Sequence, residues 1–123
     1  MNTLKLILRL LMAAFMIYGG VNHFLNPAFY EPFMPDFFPK DLANYASGAA
    51  EIIMGIALLI PKYRRLASWG LIGLMLAFLP LHIWDLFKEN PAIGSKTAAW
   101  VRIFVQFLFI AWIWWVGQED KKN

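Results

Sequence analysis

The sequence predicts an all-α integral membrane protein, a four-helix bundle with a proline- and aromatic-rich cap at its outer end between the first two helices. Three observations predict it. The 123 residues are 60% hydrophobic and 17% aromatic but only 15% charged, more apolar surface than a soluble domain of this size can hide. The apolar residues gather into four segments near 4–24, 42–60, 66–87 and 97–116, each about the 20 residues that a hydrocarbon core requires. Basic residues stand at the ends of these segments rather than on one patch, a pattern that suits lipid headgroups and does not suit nucleic acid. Because lipid tolerates no open sheet edge, the spans are expected to be helices, and the whole chain, 1–123, to form a single transmembrane domain.

The first segment follows Lys5 and Arg9 and resembles a signal peptide only superficially. No small-residue cleavage site with a polar continuation follows, so it reads as a retained span. It ends at Asn22-His23-Phe24. The loop 25–41 then carries Pro27, Pro32, Pro35 and Pro39, which oppose a regular helix. Its Phe29, Tyr30, Phe33, Met34, Phe37 and Phe38 are too apolar for a free loop, so it is expected to fold back over the bundle or lie in the interface.

The second segment carries Glu51 near its middle. A carboxylate facing lipid at that depth costs several kcal/mol, so Glu51 is expected to face protein or water. Pro61-Lys62-Tyr63-Arg64-Arg65 is a short basic turn that makes the second and third spans antiparallel neighbours. In the third, Pro80 is expected to kink the helix and free a carbonyl for a side-chain hydrogen bond. Asn90-Pro91 and Gly94 mark the last loop. With the N-terminus inside, Lys5, Arg9, Lys62, Arg64, Arg65, Lys121 and Lys122 face the cytoplasm, against Lys40, Lys88, Lys96 and Arg102 outside. This bias predicts a multi-pass protein with both termini cytoplasmic.

Few polar side chains lie within the spans, and they cluster toward the outer end. Asn22 and His23 close the first helix. Ser47, Gly48, Glu51 and Gly55 follow helical spacing on the second, placing Glu51 on a stripe of small residues where helices approach closely. His82 and Asp85 share a face of the third, and Arg102 and Gln106 a face of the fourth. At 1.5 Å rise per residue Glu51 lies roughly 13 Å below its helix end, within reach of Arg102 and Gln106. The candidate ligand-binding set is therefore Asn22, His23, Ser47, Glu51, His82, Asp85, Arg102 and Gln106, with His23, Glu51 and His82 the candidate catalytic groups.

Each has a plainer reading. A Glu51–Arg102 pair could simply hold helices together, Arg102 could snorkel, His23 could cap its helix, and His82–Asp85 could be an interfacial pair. The chain has no cysteine, which removes thiolate nucleophiles, dithiol chemistry and cysteine-based metal sites. His23, His82, Glu51 and Asp85 form no tight ligand motif, so no metal is expected. A Ser47-based nucleophile is weaker still.

The ordered residues Gly20, His23, Phe24, Pro27, Met34, Pro35, Pro39, Tyr45, Ser47, Gly48, Glu51 and Gly55, followed by Pro61, Arg65 and Ala67, resemble the DoxX-like small membrane proteins. The likeness covers roughly residues 5–88. It implies a four-helix transmembrane bundle in a bacterial inner membrane and, for some members, association with quinone-linked sulfur oxidation or oxidative-stress partners. His82 departs from the family pattern, which favours Asn after the third-helix proline.

Two functions are then expected to compete. In one, the protein is redox-associated and binds a quinone or similar apolar ring in the outer half. His23, His82 or Arg102 would serve the carbonyl oxygens and Glu51 would exchange protons. No residue here carries electrons, so turnover would need a partner redox subunit or a bound cofactor. In the other, it is a non-enzymatic subunit, chaperone or anchor for a partner membrane protein, or for a second copy of itself. Transport is a third and weaker reading, because few polar groups line the inner half.

Overall fold

The computed structural model describes residues 3–118. The chain is all-α, with helices α1 (Thr3–Leu25), α2 (Pro27–Tyr30), α3 (Lys40–Leu58), α4 (Arg64–Leu86) and α5 (Lys96–Val116), and a 3-10 turn at Glu31–Phe33 between α2 and α3. Helices α1 and α3, α3 and α4, α4 and α5, and α5 and α1 pack in pairs, so each long helix touches two others. Residues Lys121 and Lys122, assigned above to the cytoplasmic side, lie outside the described residues.

Length and apolarity suffice for crossing a membrane in α1, α4 and α5. The expectation of four such spans is met for these three. Helix α3, at 19 residues, is long enough but more polar, because Asp41, Asn44, Ser47 and Glu51 occupy its first two thirds. The buried residues of α3 are Asn44, Gly48, Glu51, Gly55 and Leu58. Their spacing of four, three, four and three is a single helical stripe. The outward faces of the other helices show Leu10, Leu11, Phe15, Leu76, Phe104, Phe107 and Leu108 about half exposed or more. Such a continuous apolar belt is the surface that a bilayer covers.

Buried chemistry is divided along the helix axes. The apolar core is Met12, Ala13, Met16, Leu58, Ala67, Leu71, Ile72, Met75, Ile113 and Val116, all toward the end that holds the first turn of α1 and the last of α5. Arg9 ties that end together. It is 1% exposed and its Nε donates to the Val116 carbonyl at 2.8 Å, placing a cation at the negative end of the α5 dipole. The Trp112 indole donates to the Leu8 carbonyl at 3.0 Å. Sequence reading gave Arg9 only a topological role; its burial depends on the last helix turn, which no local pattern announces.

The opposite end is polar. Asp85 is fully buried and accepts from the Ala92 amide at 2.7 Å and from Arg102 Nη2 at 3.0 Å. Lys88 lies 3.4 Å from its other face and donates to the Pro32 carbonyl at 2.8 Å, while Arg102 sits over the Phe33 ring. Asp85 thus ties α4, the following loop, α5 and the 3-10 turn together. Gly94, at φ 124°, makes the turn that returns the chain from this carboxylate to α5, a conformation that only glycine adopts freely. Ser95 then caps α5, its hydroxyl accepting from the Ala98 amide at 3.1 Å.

One expectation changes here. The segment 25–41 was expected to hold no regular helix, yet α2 forms within it. Pro27 occupies the first helical turn, where an amide would have no partner and proline is favoured. Pro80 does not break α4, which continues through it. The Gln106 amide donates to the Met75 carbonyl at 3.0 Å, one residue before the carbonyl that Pro80 cannot serve.

Helices α1 and α3 meet through glycine. A Cβ on Gly20 would lie 2.6 Å from the Gly48 carbonyl oxygen, and one on Gly48 would lie 2.7 Å from the Gly20 oxygen. We expect Gly20→Ala to destabilise the protein by about 1–3 kcal/mol, the usual penalty for overpacking, and Gly73→Ala, where an added Cβ meets nothing within 4 Å, to leave thermal unfolding unchanged. Removing the Asp85 carboxylate with Asp85→Ala strands the partly buried Arg102 guanidinium and should lower stability by about 3 kcal/mol. Unfolding in detergent or nanodiscs measures both.

Candidate functional site

A chain of polar contacts at the loop end joins α1, α2 and α3. It begins at Asn44, fully buried near the start of α3. Its Nδ2 donates to the Pro27 carbonyl at 3.2 Å, so its Oδ1 is left as an acceptor, 3.0 Å from His23 Nδ1. A carbonyl oxygen accepts only, which places a proton on Nδ1. The other ring nitrogen, Nε2, lies 3.3 Å from Glu51 Oε2. With Nδ1 already protonated, a favourable contact there requires one more proton, either on Nε2 as an imidazolium–carboxylate pair or on the acid beside a neutral ring. His23 and Glu51 are therefore placed to share a proton. Glu51 Oε2 has no formed hydrogen bond among the described residues; at 3.3 Å the pair is close but not aligned for one.

Tyr30 closes one side of this pair. Its ring stacks on the His23 imidazole, centroids 3.8 Å apart and planes 18° from parallel. Asn22 Nδ2 donates to the Tyr30 hydroxyl oxygen at 2.9 Å, and Asn26 Nδ2 donates to Asn22 Oδ1 at 2.7 Å. Burial, opposed by the Asn22 hydrogen bond and reinforced by the nearby Glu51 charge, holds the Tyr30 phenol above its usual value. It stays neutral near pH 7 and keeps its own proton to donate.

Beyond Tyr30 lies an open groove of about 650 Å³ on the outer face of α1, lined by Phe15, Tyr18, Gly19, Asn22, Phe29 and Tyr30 among others. Four of its ten lining residues are aromatic, and Asn22, Asn26 and the two tyrosines are its polar points. His23 and Glu51 lie behind this lining, next to Tyr30 and Gly19 respectively.

The sequence-derived candidates divide into two groups. Asn22, His23 and Glu51 come together on the α1–α3 side. Asp85 and Arg102 bond to each other in the tie described above, and Gln106 is engaged by the Met75 carbonyl. Neither Arg102 nor Gln106 pairs with Glu51; the partner is His23, on the helix that packs against α3. His82 is half-buried on α4 and its Nδ1 has no hydrogen-bond partner among the described residues. Ser47 is half-buried one turn before Glu51 and belongs to neither group. Among the described residues no three histidine or acidic side chains converge on a point where a metal could be held.

Asn44, Tyr30 and Gly19 were not singled out from sequence. Asn44 carried a usable signal, since it stands seven residues before Glu51 on the same stripe as Gly48. Tyr30 and Gly19 carried none, because their roles arise where α2 folds back on α1.

Comparison with known proteins adds a family and no activity. No curated protein and no solved structure matches the chain. A family model described as a domain of unknown function, DUF8561, matches residues 12–117, a span that includes α3, α4, most of α1 and every residue of the His23–Glu51 site. The chain belongs to the DUF8561 family.

Proposed function

We propose that this chain is a DoxX-like multi-pass membrane protein, a four-helix transmembrane bundle capped by the segment 25–41, that binds a quinone or similarly sized apolar ring at its outer end. The observation that carries the reading is the close His23–Glu51 pair set directly behind a partly aromatic groove on α1. In this reading α3 crosses with the other three, its polar stripe screened from lipid by α1. Both termini are cytoplasmic, because the first turn of α1, the last of α5 and the basic residues Lys5, Arg9, Lys62, Arg64 and Arg65 share one end. The inner membrane is the compartment that the DoxX likeness implies.

The groove suits the ligand. Its volume lies within the ordinary range for small-molecule pockets, and its partly aromatic walls fit a flat ring and a hydrocarbon tail. Tyr30 and Asn22 would fix the ring's polar edge, Asn44 holds the His23 ring in one tautomer, and the His23–Glu51 pair would store the proton that a reduced ring oxygen takes up. A bound quinone supplies the capacity to accept electrons. Those electrons would come from a partner redox subunit, since the protein's own residues hold and move only protons.

Decylubiquinone binding to protein in nanodiscs, read by quenching of tryptophan fluorescence, tests this. Glu51→Gln and His23→Ala should each weaken binding by about tenfold or more, the worth of a charge-assisted hydrogen bond, and His82→Ala should leave it unchanged. Unchanged binding in all three variants, with loss of thermal stability in the first two, would instead make the pair a packing device. The protein would then be a non-enzymatic subunit or anchor.

A further inference from the structure

Gly19 and Gly20 are adjacent, yet their missing side chains serve different surroundings. At Gly20 an added Cβ would collide with the α3 backbone. At Gly19 its three nearest neighbours would all be carboxyl atoms of Glu51, Oε2 at 3.6 Å, Oε1 at 3.8 Å and Cδ at 4.0 Å. These are ordinary van der Waals distances, so helix packing does not require glycine there. Gly19 also lines the groove, and α1 is helical at this position, so backbone conformation does not require glycine either. What the absent methyl leaves is room for one carbon between the groove lining and the Glu51 carboxyl group. That carboxyl belongs to a side chain only 10% exposed, and its buried Oε2 has no formed hydrogen bond among the described residues.

We propose that Gly19 is the opening through which the polar head of a ligand dissolved in the bilayer reaches the Glu51 carboxyl group. The inference rests on the groove being the ligand site and adds the residue that governs access to it. Tyr30 walls off His23 by stacking on it, and Gly19 is the groove-lining residue that lies against the Glu51 carboxyl group. The geometry also restricts the ligand. A polar atom that meets Glu51 must project from an otherwise apolar body past a gap one methyl group wide, as a ring carbonyl or hydroxyl does and a charged headgroup does not.

The test uses dicyclohexylcarbodiimide, an apolar reagent that partitions into bilayers. It reacts with a protonated carboxylic acid: the acid oxygen bonds to the central carbon, the proton passes to a carbodiimide nitrogen, and the adduct rearranges to a stable N-acylurea seen by mass spectrometry. With the full chain in nanodiscs, Glu51 should be labelled in the wild type. Gly19→Ala should give partial loss of labelling, Gly19→Leu complete loss, and Gly73→Ala none. Thermal unfolding of Gly19→Ala should match the wild type, because its Cβ fits. Labelling of Gly19→Leu at the wild-type rate, or a wild-type Glu51 that resists the reagent, would overturn the proposal. So would decylubiquinone binding that is indifferent to Gly19→Leu but abolished by Glu51→Gln. If binding instead survives Glu51→Gln while Gly19 still controls labelling, the opening stands and the quinone reading fails.

Discussion

A carboxyl group two thirds of the way along an apolar bundle cannot be left alone. Ionised and unpaired in that surrounding it would cost more than the net stability of a small protein, so it must carry a proton or share one. Glu51 faces His23 at 3.3 Å, and much of the loop end follows from this contact. The imidazole can serve only if its other nitrogen is held as a donor, which Asn44 does by accepting from Nδ1. Asn44 can do so only if its amide is turned outward, which the Pro27 carbonyl achieves. Pro27 in turn starts α2, and α2 delivers Tyr30 onto the face of the imidazole. The close glycine contact between α1 and α3 sets the distance over which all of this operates.

A second buried acid solves the same problem differently. Asp85 is paired with Arg102, approached by Lys88 and bonded to backbone amides of the following loop. It has every partner that it can use, and its consequence is architectural. Among the described residues Glu51 has His23 as its close titratable partner and an oxygen without a formed hydrogen bond. Of the two acids, the incompletely satisfied one lies beside a groove, and this contrast separates a site from a structural tie.

The helical class and the position of the polar end were legible in the sequence, because segment length, apolarity and charge placement act locally. The stripe through Gly48, Glu51 and Gly55 was legible for the same reason. The pairing was not. Arg102 and Gln106 lay at suitable depths for Glu51, but depth along an axis says nothing about which faces meet, and Asp85 on the neighbouring α4 claimed Arg102 first. Asn44 was overlooked because an asparagine near a helix start reads as an ordinary polar end. Gly19 could not be told from Gly20 until α3 showed which of them faced backbone and which faced a carboxyl group. Helix α2 was hidden among the prolines of segment 25–41, one of which starts it.

The central claim is that one proton is shared across His23 and Glu51, with the ring held as the Nδ1–H form, and that a lipid-borne ligand engages it. Solid-state 15N resonance of labelled His23 in bilayers measures this directly, with and without decylubiquinone. The expected spectrum has Nδ1 protonated in both conditions, and an Nε2 signal that moves when the ligand is added. An Nε2–H neutral ring, or an Nε2 signal indifferent to the ligand, would contradict it.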